Sequence, residues 1–250
     1  MHNFSFGGKN LLQFGGRILQ APSHNIAERN VEFVKIYGQS GDEIIDNESY
    51  NNVAFSIKIC FFPLLSQRTA HDLAYSIIDW LGPLQNGYYE YRDTYNPGYF
   101  TQAALTNLGE VTRELPNLLT ATLKFSRVPF WYRDSGTKNI TAYGGTNQVY
   151  NPERYPAEPY YKFVSGLNGT HEAHITINSE TVVFDCSGSN DFHRFAGKQH
   201  FRIDDGVKTY LGPELLPDLQ PGLNTIEINM DGHMVSGSFY LTITPNWRRL

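Results

Sequence analysis

Four carboxylates, Asp42, Glu43, Asp46 and Glu48, fall within seven residues of the stretch Tyr37 to Asn52 (YGQSGDEIIDNESYNN), with Gly38 and Gly41 just ahead of them. Calcium is held by oxygen ligands, and carboxylates spaced along a glycine-bearing loop are one way a chain supplies them. The spacing does not match a helix-flanked calcium loop, which needs acids at alternate positions, a central Gly and a closing Glu. Here Ile44-Ile45 interrupts the acids and strand-like runs flank them. The stretch therefore reads as a solvated loop between two strands, and no metal is expected.

The other chemistry-bearing residues are as dispersed. The second half holds His171, His174, His193 and His200. Zinc needs clustered nitrogen or sulfur ligands at set spacings. His171 and His174 lie three apart near a strand, which puts them on opposite faces. Cys60 and Cys186 sit far apart in strand-like runs and read as buried free thiols. No G-x-S-x-G, P-loop or H-E-x-x-H motif occurs. A glycosidase needs two carboxylates flanking one bond, and none of the 25 acids stands out as such a pair. No catalytic residue, metal or cofactor is expected, and the chain does not read as an enzyme. The tyrosines are the remaining candidates. Tyr88-Tyr89-Glu90-Tyr91 and the stretch with Tyr155, Tyr160 and Tyr161 suit strand packing, a protein interface or sugar stacking.

The composition is that of a globular β-rich chain: 40% hydrophobic, 18% charged, with 16 Phe and 16 Tyr. A net charge of -5 with no basic run argues against nucleic acid. No apolar run is long enough to span a membrane. The opening MHNFSFGGKN lacks the charged-then-apolar pattern of a signal peptide, so a cytoplasmic product is expected.

The elements that would position these residues are mostly strands. Val31 to Tyr37 places Val31, Phe33 and Lys35 on one face and Val34 and Ile36 on the other. Val53 to Phe62 alternates more clearly, with Val53, Phe55, Ile57, Ile59 and Phe61 on one side, a half-buried strand. One helix interrupts. TAHDLAYSIIDWLGP has Thr69 as N-cap, Asp72 three residues on, an apolar stripe through Leu73, Ile77 and Leu81, and Gly82-Pro83 as stop. Gly87 to Asp93, Tyr99 to Leu108 and Leu119 to Phe125 read as strands, with a loop at Arg113 to Asn117. From Ser135 to Pro159 glycine and proline rise and aliphatics thin, which marks a boundary or connection. Beyond it, short strands alternate with Gly, Asn and Asp turns, the pattern of a β-sandwich. The expected organisation is mainly β: residues 1–134 form an N-terminal β-sandwich-like domain with one α-helix near 69–82, 135–159 connect, and 160–250 form a C-terminal β-sandwich.

The order of these features resembles the distal tail protein (Dit) family of phages and prophages with long, non-contractile tails (siphovirus-like). FSFGGKN resembles the family's first strand, and YGQSGDEIIDNESYNNVAFSIKICF a glycine-turn segment leading into a strand. The helix ending in Trp80-Leu81 matches the one that follows there. YYEYRDTYNPGYF, LKFSRVPFWYRD and the terminal PGLNTIEI…SGSFYLTITPNWRRL resemble later family segments. Gly38-Gln39-Ser40-Gly41 lacks the arginine of the family turn, and Asn246 stands where a basic residue is usual. The resemblance implies a virion structural protein of the tail tip or baseplate, assembled in the host cytoplasm. It implies a homohexameric ring formed by the N-terminal domain, with a galectin-like C-terminal domain projecting outward. The ring would join the tail tube protein to the tail-tip fibre or tail-associated lysin protein and to receptor-binding proteins. Within it, Gly38, Gly41, Asp42 and Glu43 become candidate subunit contacts, and Tyr155, Tyr160 and Tyr161 candidate partner or sugar contacts. The alternative reading is a carbohydrate-binding β-sandwich module for host-surface glycans.

Overall fold

A computed structural model describes residues 2–23, 25–115, 117–166, 171–186, 189–194, 198–204, 207–212, 216–231 and 239–250 of the chain; side chains are described outside 186–215. The chain is mainly β and divides into two compact units, Met1–Trp131 with Leu250, and Tyr132–Arg249.

In the first unit the strands are β1 (Phe4–Phe6), β2 (Lys9–Asn10), β3 (Gly16–Ile18), β4 (Arg29–Lys35), β5 (Asp42–Tyr50) and β6 (Val53–Phe61). Two helices follow, α1 (Pro63–Ser66) and α2 (Ala70–Leu81), then β7 (Tyr89–Asp93), β8 (Tyr99–Asn107), β9 (Thr112–Leu115) and β10 (Leu118–Arg127), while β11 (Trp131–Arg133) starts at this unit's last residue before the C-terminal Leu250. The main sheet runs β2-β1-β7-β8-β10-β6-β3, with β9 beside β10. Its neighbours pair antiparallel, as in the long β10–β6 ladder from Leu119↔Phe61 to Arg127↔Val53. The alternation in β6 lands as expected, with Val53, Phe55, Ile57, Ile59 and Phe61 in the core. Cys60 departs from it: placed on the wet side by alternation, it is buried, and burial raises its thiol pKa. β9 is a strand where a loop was expected. Its exposed TREL residues carry no alternating apolar signal, and only pairing with β10 makes it a strand.

Helix α2 begins where its sequence signals place it. The Thr69 Oγ1 accepts from the Asp72 backbone N–H (3.1 Å) and donates to the Asp72 carboxylate (2.7 Å). Leu73, Ile77, Trp80 and Leu81 are buried in the sheet's core. Trp80 stacks on Phe14 at 4.8 Å, and its indole N–H donates to the Phe6 carbonyl at 3.1 Å. Phe4, Phe55, Tyr91 and Phe125 complete an aromatic centre, so of the Tyr88–Tyr91 run Tyr91 lies in the core and Tyr89 packs against it, while Tyr88 is exposed. Gly109, at φ +67, sits with its α-carbon so close to the Thr122 carbonyl oxygen that a Cβ would lie 2.4 Å from it.

In the second unit one sheet runs through β12 (Ile140–Tyr143), β21 (Phe239–Thr244), β14 (Tyr160–Ser165), β17 (Ser189–Arg194), β18 (Lys198–Asp204) and β19 (Val207–Gly212). The other runs β13 (Gly145–Asn151), β20 (Gly222–Met230), β15 (His171–Ile177) and β16 (Glu180–Cys186). Phe163, Leu241 and Ile243 from the first share one core with Ile175, Ile226 and Ile228 from the second, which makes a sandwich. The stretch 135–159, expected as a connection, contains β12 and β13, each hydrogen-bonded into a sheet. Its low aliphatic content hides them because β12 and β13 place only the small Ala142 and Val149 fully in the core, with Ile140 packed at its margin.

Two buried amides organise this unit. Asn224, fully buried in PGLNTIEI, donates to the Gln220 and Gly222 carbonyls and accepts from the Gln220 N–H, which ties the turn entering β20. Asn151 donates to the Tyr155 and Leu219 carbonyls. These bonds make burial of a polar side chain tolerable.

Candidate functional site

The stretch Tyr37 to Asn52 corrects its sequence reading. It is not a loop between strands: from Asp42 it is strand β5, which pairs antiparallel with β4 and, among the described residues, with no other strand. The acids escape notice as a strand because Asp and Glu are poor strand formers and Ile44-Ile45 breaks the alternation of polarity. The turn of the hairpin holds Gly38 at φ +83 and Gly41 at φ +99, a left-handed backbone that glycine adopts without strain.

The register assigns the faces, since residues opposite each other share one. Val31, Phe33 and Lys35 lie opposite Asp46, Ile44 and Asp42, and Glu32 and Val34 lie opposite Ile45 and Glu43. Asp42 and Asp46 thus point one way and Glu43 the other, so they cannot converge on an ion. Asp46 pairs with Arg29, and Asp42 faces Lys35. Such exposed pairs contribute little to stability. Among the described residues no group of three or more His, Cys, Asp or Glu side chains is arranged to hold a metal. His171 and His174 each bond a nearby carboxylate instead, Asp231 and Glu172, both at 2.7 Å. His193, His200 and Cys186 have side chains outside the described part.

Neither strand of the hairpin has a buried residue. Phe33 and Ile44, adjacent on one face, are 62% and 61% exposed. Ile45 on the opposite face is exposed as well, and Ile36 and Tyr37 project near the turn. A two-stranded ribbon with apolar side chains on both faces cannot bury them on itself, and an isolated ribbon of this kind is marginal in water. Among the described residues neither of its outer edges pairs with a further strand, and such edges offer backbone groups to a neighbour. The root of the hairpin, by contrast, is tied to the unit. The Asn51 N–H donates to the Glu28 carbonyl (2.8 Å), the Asn25 amide to the Ala54 carbonyl (2.8 Å), and the Tyr50 ring meets Phe130 edge-on at 5.6 Å.

The four candidate contacts Gly38, Gly41, Asp42 and Glu43 therefore cluster at the outer end of this ribbon. The three tyrosines do not form one surface. Tyr161 is 2% exposed, its hydroxyl donating to the Pro217 carbonyl at 2.8 Å, so it offers nothing to a partner or a sugar. Tyr155 and Tyr160 are half-buried. The apolar residues Phe33, Ile44 and Ile45, and the buried Arg127 near the hairpin's root, were not singled out in the sequence. Their signals were present: apolar residues in both runs that flank the turn, and an arginine in the apolar row Leu123, Phe125, Arg127.

No family model and no curated protein matches the sequence. Solved structures do match over the whole length. The Dit protein (gp 19.1) of phage SPP1, described as a paradigm of hub adsorption apparatus in phages infecting Gram-positive hosts, superposes with a TM-score of 0.62 at 15% identity, covering 100% of both chains. A chain of the phage P2 baseplate in its activated conformation with Ca matches with a TM-score of 0.50 at 7% identity, covering 100% of this chain and 98% of that one. The fold of this chain is thus similar, from end to end, to that of phage tail hub and baseplate proteins.

Proposed function

We propose that the chain is a structural, non-enzymatic component of a phage tail tip, a hub that assembles as a homohexameric ring through its N-terminal unit. The observation that carries this reading is the β4–β5 hairpin, which exposes apolar side chains on both faces while its root is fastened to the sheet. Apolar ribbons of this kind gain by insertion against another surface. A contact between the hairpin of one copy and a different surface of the next repeats by rotation, and such head-to-tail contacts close into rings. Gly38, Gly41, Asp42 and Glu43 would lie within that contact. The collinear likeness to tail hub proteins supports the same reading. By the same likeness the ring would join the tail tube to the tail-tip fibre or lysin protein and to receptor-binding proteins, with the second unit, a galectin-like sandwich, projecting outward. The purified chain, examined by sedimentation velocity and negative-stain microscopy, is expected to form six-membered rings at high concentration or with the tail-tip protein. A strict monomer under both conditions overturns the ring.

A further inference from the structure

Arg127 occupies a position that the alternation of β10 reserves for a core side chain. Leu119, Ala121, Leu123, Phe125 and Arg127 all face inward, and Arg127 is only 6% exposed. Among the described residues no carboxylate contacts its guanidinium. Nη1 donates to the carbonyls of Val128 (2.9 Å) and Pro129 (2.6 Å), and Nη2 to the carbonyl of Asn25 (3.1 Å). Its planar face lies 5.5 Å from the Trp131 ring. Burial pushes its pKa down to about 10, still far above neutrality, so the group is buried charged. A buried charge without a counter-ion is costly unless its hydrogen bonds are well made. An apolar side chain at this site would pack against the same neighbours without that cost.

What the guanidinium does that an apolar group could not is bond a distant segment. Val128 and Pro129 are local, but Asn25 is 102 residues away, in the segment that leads into β4. Asn25 in turn donates through its side chain to Ala54, at the start of the strand that leaves β5. One fork therefore joins the end of β10 to both the entry and the exit of the hairpin. Its two Nη groups point to different segments, a geometry that the single ammonium of a lysine does not reproduce.

We infer that Arg127 is a positioning residue that fixes the direction in which the hairpin leaves the sheet and so presents its apolar faces pre-organised for the partner copy. The inference rests on the reading of the hairpin as the subunit contact. Ordering a contact surface before association lowers the entropy lost on binding.

Hydrogen–deuterium exchange on the full chain, at a concentration where it is monomeric, tests the device apart from assembly. Arg127→Met is expected to speed exchange at the root, over residues 25–30 and 50–54, by tenfold or more, with α2 and β8 unchanged. Arg127→Lys retains the charge and the stem, and serves if the Met variant does not fold; it is expected to show the same localised loss. Unchanged exchange at the root, or acceleration spread evenly through the first unit, overturns the inference, the latter because it marks a general core role. Ring formation is then read separately. Rings that persist when the hairpin's apolar residues are replaced would defeat the assembly reading while the exchange result still decides the role of Arg127.

Discussion

Replacing Phe33 and Ile44 together by threonine separates an assembly surface from a folding surface. Threonine retains strand propensity and removes most of the apolar area. Fully burying a Phe or Ile side chain is worth about 1.5–3 kcal/mol. With 62% and 61% of these residues still exposed, association can gain only the remaining burial, about 1–1.5 kcal/mol each after the area threonine keeps. The pair then contributes roughly 2–3 kcal/mol per contact, a 30- to 150-fold change in association constant at about 1.4 kcal/mol per tenfold. Because both residues sit on a ribbon with no buried residue, the monomer should be affected by no more than about 0.5 kcal/mol. The assay is a dilution series by native mass spectrometry or sedimentation velocity, beside a thermal melt of the same variant. The concentration for half-assembly should rise by at least that factor while the melting temperature moves by about 2 °C or less. Unchanged assembly would place Phe33 and Ile44 outside the contact, and a large drop in melting temperature would show that they serve the fold instead.

The remaining expectations concern the fold that holds the hairpin. Thr69→Ala removes the hydroxyl that accepts from the Asp72 N–H and should cost about 1 kcal/mol in denaturant titration, whereas Thr69→Ser should be near parent. Ile77→Ala, at a fully buried position, should cost about 2–5 kcal/mol, while Ile78→Ala on the outward side of the same helix should cost well under half of that; equal effects would contradict the docking of α2. Gly109→Ala places a Cβ against the Thr122 carbonyl at a left-handed backbone and should destabilise by more than about 1 kcal/mol. Burial holds the phenols of Tyr91, with Asp93 adding its charge, and Tyr161 well above their ordinary pKa of 10.0. A raised native pKa means the unfolded state loses its proton first, so this stability is fully present below about pH 10 and is lost as pH climbs beyond it. Denaturant midpoints should therefore fall steeply above about pH 10, and tyrosinate absorbance from these two rings should appear only with unfolding.

Local rules accounted for the elements whose signals are local. The N-cap at Thr69 and the apolar stripe through Leu73, Ile77 and Leu81 marked α2 to within a residue, and the alternation of Val53 to Phe61 marked β6 and its buried side. Both depend on neighbours along the chain and on one core face. The likeness to tail hub proteins was legible from the order of motifs, and the superposition bears out that fold over the whole length.

Strands whose stability comes from a distant partner were not legible. β5 carries four acids and was read as a loop; it becomes a strand because Val31, Phe33 and Lys35 stand opposite it. β9, β12 and β13 were missed for the same reason, since pairing with β10, β21 and β20 supplies what their own residues do not. The tyrosines near Tyr155 looked alike in sequence, yet only the tertiary structure sends Tyr161 inward to the Pro217 carbonyl. Arg127 shows the limit most plainly. Its alternation places it inward, but only folding brings Asn25 within reach of its guanidinium. A residue's periodicity determines which way it points; what it meets there is decided by contacts between segments far apart in the chain.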